Sequence, residues 1–71
     1  MLLIERVMSM HYMEKTNKVM ADLISGRRSH FGNYSYHQSV FTDGVDEVPE
    51  WEVRQFVLNY FMALENVKSH A

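Results

Sequence analysis

The sequence predicts a small α+β domain in which two helices flank a β-hairpin. Three observations support this fold class: a stretch without Gly or Pro at residues 2–25, a middle segment at 27–45 with aromatic residues and turn pairs, and a second helix-like stretch at 46–68. A chain of 71 residues is long enough for one domain only. The alternative is an all-α helical hairpin in which the middle segment forms an ordered loop.

The first helix is predicted from about residue 3 to residue 25. Leu, Met, Glu, Lys and Ala dominate this stretch, and all of them are good helix formers. Gly26 follows, and we expect it to adopt a positive φ as the residue that ends the helix. Arg27 and Arg28 come next, where positive charge stabilises the carboxyl end of a helix.

The middle segment is predicted to contain a hairpin that pairs residues 28–31 with 34–40. Gly32-Asn33, placed between two aromatic residues, is typical of a two-residue hairpin turn. In this register Phe31 lies opposite Tyr34, and Ser29 lies opposite Tyr36. Asp43-Gly44 indicates a second turn.

The second helix is predicted from about residue 48 to residue 67. Pro49 and the acidic residues around it are typical of a first helical turn. The 3.6-residue period gives this helix one apolar stripe that we expect to face the core. The stripe consists of Val53, Phe56, Val57, Tyr60, Ala63, Leu64 and Val67. We expect Phe56, Tyr60 and Leu64 to pack against Val19, Met20 and Leu23.

Both helices also carry apolar residues away from these core stripes. On the second helix these are Trp51, Leu58 and Met62, and on the first they are Leu3, Ile4, Val7 and Met10. Apolar residues aligned on the back of a helix favour a second buried surface. We therefore predict a protein partner at these seven residues, with a homodimer favoured. The alternative is that they are isolated surface residues, which are common.

Composition limits the classes of protein to which the chain can belong. Hydrophobic residues make up 46% of the chain, which is too many for a disordered protein. Because Cys is absent, disulfides and thiolate metal sites are excluded. The N-terminus lacks the features of a signal peptide, and no apolar run is long enough to span a membrane. We predict a protein of the cytoplasm, or of a virion if it is phage-encoded.

No motif in the sequence indicates catalysis, a metal or a cofactor. None of the serines lies in the Gly-x-Ser-x-Gly context of a nucleophile, and no two histidines have the spacing of a helical metal site. Acidic residues cluster at Asp43, Asp46, Glu47, Glu50 and Glu52. Such a cluster usually stabilises a helix N-terminus, although it can also imitate phosphates toward a basic partner. We predict a protein that is not an enzyme.

The segment from Arg27 to His37 is a candidate nucleic-acid contact. It interleaves positive charge with aromatic rings, through Arg27, Arg28, Phe31, Tyr34 and Tyr36. Rings of this kind stack on single-stranded bases while cations contact the phosphates. The net charge of −2 argues against it, because the chain as a whole is not attracted to a polyanion. The alternative role of these rings is to close the core beneath the hairpin.

The order of helix, Asp-Leu-Ile-Ser-Gly-Arg-Arg, hairpin, acidic turn and helix resembles the lambda-type W head-completion proteins of tailed phages. The resemblance lies in Ala21 to Arg28 and in the layout of residues 19–67. It implies two helices packed on one hairpin, and a non-enzymatic protein that forms a ring against a portal and joins the filled head to the tail. The chain lacks the basic C-terminal tail of that family, and its acidic stretch at 43–52 has no counterpart there. The resemblance therefore transfers no functional residue.

Taken together, these patterns predict a small, non-enzymatic binding protein that acts through protein–protein contacts. A phage-encoded regulator or inhibitor is the first expectation. A structural head–tail joining component of a virion and a small nucleic-acid-binding module are the alternatives.

Overall fold

The protein consists of two antiparallel helices packed on a three-stranded sheet. The computed structural model describes residues 3–70, and the side chains of residues 10–65 within that range. The elements follow the order α1 (Leu3–Ser25), β1 (Ser35–His37), β2 (Val40–Thr42), β3 (Glu47–Val48) and α2 (Glu50–His70). The predicted α+β class is confirmed, and the all-α alternative is wrong.

Helix α1 ends where the sequence indicates. Gly26 has a φ of +86°, as predicted for the residue after a helix. Its N–H donates to the carbonyl of Leu23 at 3.3 Å, and the N–H of Arg28 donates to the carbonyl of Asp22 at 3.1 Å. These bonds satisfy two of the carbonyls that the last turn of a helix leaves free.

The hairpin lies further along the chain than predicted. Phe31 and Tyr34 do face each other around Gly32-Asn33, with N–H···O distances of 2.8 and 3.0 Å, but this contact is an isolated bridge. The prediction that Ser29 lies opposite Tyr36 is wrong, because Tyr36 pairs with Phe41 instead. The strands β1 and β2 turn at Gln38 and Ser39, which both have positive φ. Neither residue is Gly or Asn, which are the residues that usually adopt positive φ in hairpin turns, so the sequence did not indicate a turn at this position.

A four-residue loop joins β2 to β3 and is held by the side chain of Asp43. Its carboxylate accepts the backbone N–H groups of Val45 and Asp46 at 2.9 and 2.8 Å. Glu47 then pairs with Thr42, and Val48 pairs with Phe41. The predicted turn at Asp43-Gly44 is confirmed, and the chain returns in antiparallel fashion to complete the sheet in the order β1-β2-β3.

The core lies between the two helices and one face of the sheet. Helix α1 contributes Thr16, Val19, Met20 and Leu23, and α2 contributes Val53 and Val57, which are fully buried. The sheet and the segment before it contribute Phe31, Phe41 and Val48. The predicted core positions of α1 are therefore confirmed.

The predicted core stripe of α2 is too wide. Val53 and Val57 are buried, but Phe56, Tyr60 and Leu64 are 40%, 47% and 40% exposed. Ala63 is also exposed, and Val67 lies outside the described side chains. The physical reason is the size of the sheet, since strands of three, three and two residues cover only the centre of the stripe. Phe61, which the predicted stripe omitted, is half-buried against the core.

The helices run antiparallel. Lys15 of α1 lies over the ring of Phe61, whereas Asn17, further along α1, accepts a hydrogen bond from Arg54, which lies earlier in α2. The chain measures 41 × 23 × 20 Å along its principal axes, and the long axis reflects the length of the two helices. Over the described residues, neither helix combines the length and apolar character that crossing a membrane requires.

Candidate binding surfaces

An open groove of about 270 Å³ lies between the start of the sheet region and α2. Six residues line it, and we call it the aromatic groove: Arg28, His30, Phe31, Gly32, Phe56 and Tyr60. Phe56 and Tyr60 are one turn apart on α2, so both rings emerge on the same side of the helix. The predicted core stripe included these two rings, but the structure leaves both of them partly exposed.

The rings of the groove are held in edge-to-face contacts. Phe31, which is buried, meets Tyr60 at a centroid distance of 5.1 Å and Phe56 at 6.0 Å, with interplanar angles of 89° and 81°. The ring of Tyr34 supports Phe56 from the other side, at 5.1 Å. Edge-to-face pairs are the favoured geometry for aromatic rings. The groove therefore presents rigid aromatic walls to solvent.

Positive charge lies at the rim of the groove. The guanidinium of Arg28 lies 5.2 Å from the centre of the Phe31 ring, within the range of a cation–π contact. His30 lines the same groove, and its Nδ1 lies 3.0 Å from the hydroxyl of Ser29. A side chain that combines an apolar body with a negative charge matches this arrangement.

The predicted nucleic-acid contacts do not form one surface. Arg27 is exposed but does not line the groove, whereas Phe31 lines the groove but is largely buried. Tyr36 packs on Phe41 at 4.8 Å and lines a different groove, together with Ile24. The structure thus brings Arg28 and Phe31 together and places Tyr36 elsewhere.

Tyr34 connects the sheet region to the first turn of α2. Its hydroxyl donates a hydrogen bond of 2.9 Å to the carboxylate of Glu52. This bond raises the pKa of Tyr34 above its usual value of 10.0, and reduced solvation and the negative charges of Glu52 and Asp43 act in the same direction. Tyr34 is therefore a structural contact next to the groove, with its hydroxyl already engaged.

Most of the clustered carboxylates are also engaged within the chain. Backbone N–H donors lower the pKa of Asp43, with the bond from Asp46 the largest cause and that from Val45 the next. Glu50 pairs with Arg54 at 2.9 Å, and Glu52 accepts from Tyr34. These contacts support the interpretation that the acidic cluster stabilises the loop and the start of α2.

A second surface lies on the helical layer, on the side away from the sheet. Met10, Met13 and Asn17 share one side of α1 by their spacing of three and four residues. Trp51, Arg54, Leu58 and Met62 share one side of α2 by the same spacing, and the hydrogen bond from Arg54 to Asn17 joins the two sides. We call this surface the outer face.

The outer face contains the predicted binding residues whose side chains the structure describes. Trp51 is 69% exposed, Met10 is 56% exposed, Met62 is exposed and Leu58 is half-buried. The predicted contacts Leu3, Ile4 and Val7 lie outside the described side chains. Met13 lies on the same side by its spacing from Met10, and it is 54% exposed.

Within the part of the chain that the structure describes, histidine and acidic side chains do not gather in groups of three that a metal ion would need. Comparison with protein families, curated proteins and solved structures found no significant match to the chain. The resemblance to phage head-completion proteins therefore stays a prediction.

Proposed function

We propose that this is a non-enzymatic binding protein that acts through protein–protein contacts, including contacts between copies of the chain. The observation that carries the proposal is the exposure of large apolar side chains on α2, led by Trp51, Phe56 and Tyr60. An exposed apolar surface that includes rigid aromatic rings is characteristic of binding sites. A regulator or inhibitor in the cytoplasm, phage-encoded or otherwise, fits this description best.

The aromatic groove is the proposed site for a foreign protein. Its rings accept an apolar side chain, and Arg28 at the rim attracts a neighbouring carboxylate. The occupant that matches is a protein segment in which an aromatic or aliphatic residue is flanked by Asp or Glu. The overall charge of −2 does not prevent a short acidic segment from binding, because the positive charge of Arg28 lies directly at the rim of the groove.

A random peptide library tests this proposal. We expect selection on the purified protein to enrich peptides with an apolar residue flanked by carboxylates. The best of these peptides, measured by calorimetry, should lose affinity about tenfold or more with Arg28→Glu, a change of at least about 1.4 kcal/mol. Arg27→Glu is the matched control, because it makes the same charge change at the adjacent exposed residue outside the groove. Enrichment without such a motif, or equal losses with both variants, would contradict the proposed site.

A nucleic-acid-binding module is the second candidate, and the position of Arg28 beside exposed rings is what favours it. Phe56 and Tyr60 have the exposed faces that stacking on bases requires. An oligothymidylate distinguishes this candidate. Phosphate contacts would be indicated if the logarithm of the binding constant falls linearly with the logarithm of the salt concentration. Arg27→Glu and Arg28→Glu should then weaken binding to the same extent. No binding at low salt would exclude it.

A further inference from the structure

A second cation contacts the aromatic rings of the groove, beyond the residues that line it. The rings of Phe31 and Tyr60 both lie next to Phe61, with centroid distances of 6.2 and 5.5 Å. The ammonium group of Lys15 lies 5.5 Å from the centre of the Phe61 ring, within the range of a cation–π contact. Tyr60 is exposed, and Lys15 and Phe61 are half-buried, so solvent reaches this end of the ring cluster.

Neither of the two cations at this ring cluster has a carboxylate partner among the described side chains. The ion pairs within that part of the chain are those of Lys18 with Asp22 and of Arg54 with Glu50. Lys15 and Arg28 lie over rings instead, and Arg28 also donates to the carbonyl of His30 at 3.5 Å. Two positive charges therefore flank the rings, although the chain as a whole has a charge of −2. A negatively charged partner is complementary to this arrangement.

Three carboxylates close to these cations along the chain or in space are directed elsewhere. The side chain of Asp22 pairs with Lys18 at 4.0 Å. Glu52 accepts the hydroxyl of Tyr34 at 2.9 Å. Glu14 precedes Lys15 in the sequence, but consecutive helical residues point about 100° apart around the axis. The positive charge at the rings therefore remains available to a partner.

The separation of the two cations determines the length of segment that can reach both. The N–H of Arg28 bonds to the carbonyl of Asp22, which lies about 10 Å along α1 from Lys15 at 1.5 Å per residue. The ring contacts, taken end to end, limit the distance between the two charged groups to at most about 17 Å. In an extended segment, residues i, i+2 and i+4 share one side, and i and i+4 are about 13 Å apart. This spacing falls between the two values.

We propose that the binding site of the aromatic groove extends to Lys15 and takes an extended protein segment with the pattern acid-x-apolar-x-acid. One carboxylate of the segment contacts Arg28 and the other contacts Lys15. The apolar side chain between them packs on Tyr60, which lies next to both rings that carry the cations. This inference rests on the proposed function of the groove. It adds Lys15 as a binding residue and specifies the spacing of the two acids.

Three synthetic peptides of equal length test the spacing by calorimetry. The first has the pattern Glu-x-Phe-x-Glu, the second replaces one Glu by Gln, and the third moves one Glu next to Phe, so that the composition is unchanged but this acid points to the other side of the segment. We expect the first peptide to bind about threefold more tightly than the other two, which is the gain typical of an ion pair at a solvated surface. Equal affinities for all three peptides would overturn the proposal.

Variants of Lys15 test which residue the second acid contacts. Lys15→Gln should remove the threefold advantage of the first peptide, whereas Lys15→Arg should keep it because the charge remains. Lys18→Gln is the matched control, since the side chain of Lys18 is 76% exposed and pairs with Asp22. An advantage that persists in Lys15→Gln, or that Lys18→Gln removes equally, would overturn the role of Lys15.

The same measurements separate this inference from the proposed function. If Arg28→Glu weakens binding of the first peptide and Lys15→Gln does not, the groove binds acidic segments and only its extension to Lys15 is wrong. If none of the three peptides binds to the wild type, both the groove and its extension are wrong.

Discussion

Gly32 lies directly against the ring of Phe56: a Cβ atom added at Gly32 would stand 2.8 Å from Cε2 of that ring. Carbon atoms in van der Waals contact are about 3.5–4.0 Å apart, so the ring must move if any side chain is present. Gly32 also has a φ of +62°, which other residues adopt only at a cost. The absence of a side chain at Gly32 therefore shapes the floor of the aromatic groove.

The first prediction compares alanine at two glycines with positive φ. Gly26→Ala should lower the free energy of unfolding by about 1–2 kcal/mol and Gly32→Ala by at least as much, because both force alanine into the left-handed region. Only Gly32→Ala should displace the ring of Phe56, since a Cβ at Gly26 meets nothing within 4 Å. Urea unfolding measures the first effect, and the NMR shifts of Phe31 and Tyr34 report the second. Unchanged shifts in Gly32→Ala would show that Phe56 does not occupy the described position.

The second prediction concerns the centre of the core. Leu23 is 2% exposed, so Leu23→Ala should lower the free energy of unfolding by about 2–5 kcal/mol. The neighbouring Ile24 is 50% exposed, and Ile24→Ala should change it by only about 0.5 kcal/mol. Chemical denaturation of the two variants under the same conditions measures the difference. Similar losses in both would mean that the buried side of α1 has been misidentified.

The third prediction concerns a buried hydroxyl. Thr16 is 2% exposed, and its Oγ1 has no hydrogen-bond partner among the described residues. Thr16→Val keeps the shape and removes the unsatisfied group, so it should raise the free energy of unfolding by about 1 kcal/mol. Thr16→Ser is the control: it keeps the hydroxyl, loses a methyl group, and should cost about 1 kcal/mol. If valine instead destabilises the protein, the hydroxyl has a partner in solution.

The fourth prediction concerns alkaline pH. The folded protein raises the pKa of Tyr34 above 10.0, so the protonated phenol is favoured in the folded state. Its contribution to stability is therefore fully present below pH 10.0, the unfolded value, and is lost as the pH rises through the raised pKa. Wild type should be more stable than Tyr34→Phe at neutral pH, and this advantage should disappear at strongly alkaline pH.

Glu52→Gln provides the control for Tyr34. It keeps an oxygen that accepts the hydrogen bond but removes the negative charge, so the pKa of Tyr34 should fall toward its usual value. Absorbance of the phenolate, compared with that of Tyr34→Phe, follows this titration. A Tyr34 titration that Glu52→Gln leaves unchanged would show that the bond does not persist in solution.

The helices were the most predictable part of the fold, and the strands the least. Helix α1 was predictable because residues 2–25 lack Gly and Pro and because Gly26 marks its end. The hairpin was displaced because its true turn uses Gln38 and Ser39 at positive φ, a conformation that these residues seldom adopt. Pairing of Tyr36 with Phe41 depends on packing against the helices, which local sequence does not encode.

The two candidate surfaces differ in how far the sequence predicted them. The outer face follows from helical spacing alone, which predicts that Trp51 and Met62 lie together on the back of α2. The aromatic groove depends on how much of the surface of α2 the sheet covers, and helical periodicity does not predict the extent of that covered surface. Phe56 and Tyr60 were therefore assigned to the core, although they form the wall of a groove.

Pro49 is the single residue between Val48, the last residue of the sheet, and Glu50, the first of α2. Val48 is held in the core, and the proline ring fixes one of the two backbone rotations at this joint. Helix α2 has 21 residues, which is about 30 Å of rigid rod at 1.5 Å per residue. Because the helix is long and rigid, a small change in its direction at Pro49 displaces its far end by a larger distance. The direction of the whole helix, and with it the position of Met62 relative to the sheet, therefore depends on this one restricted joint.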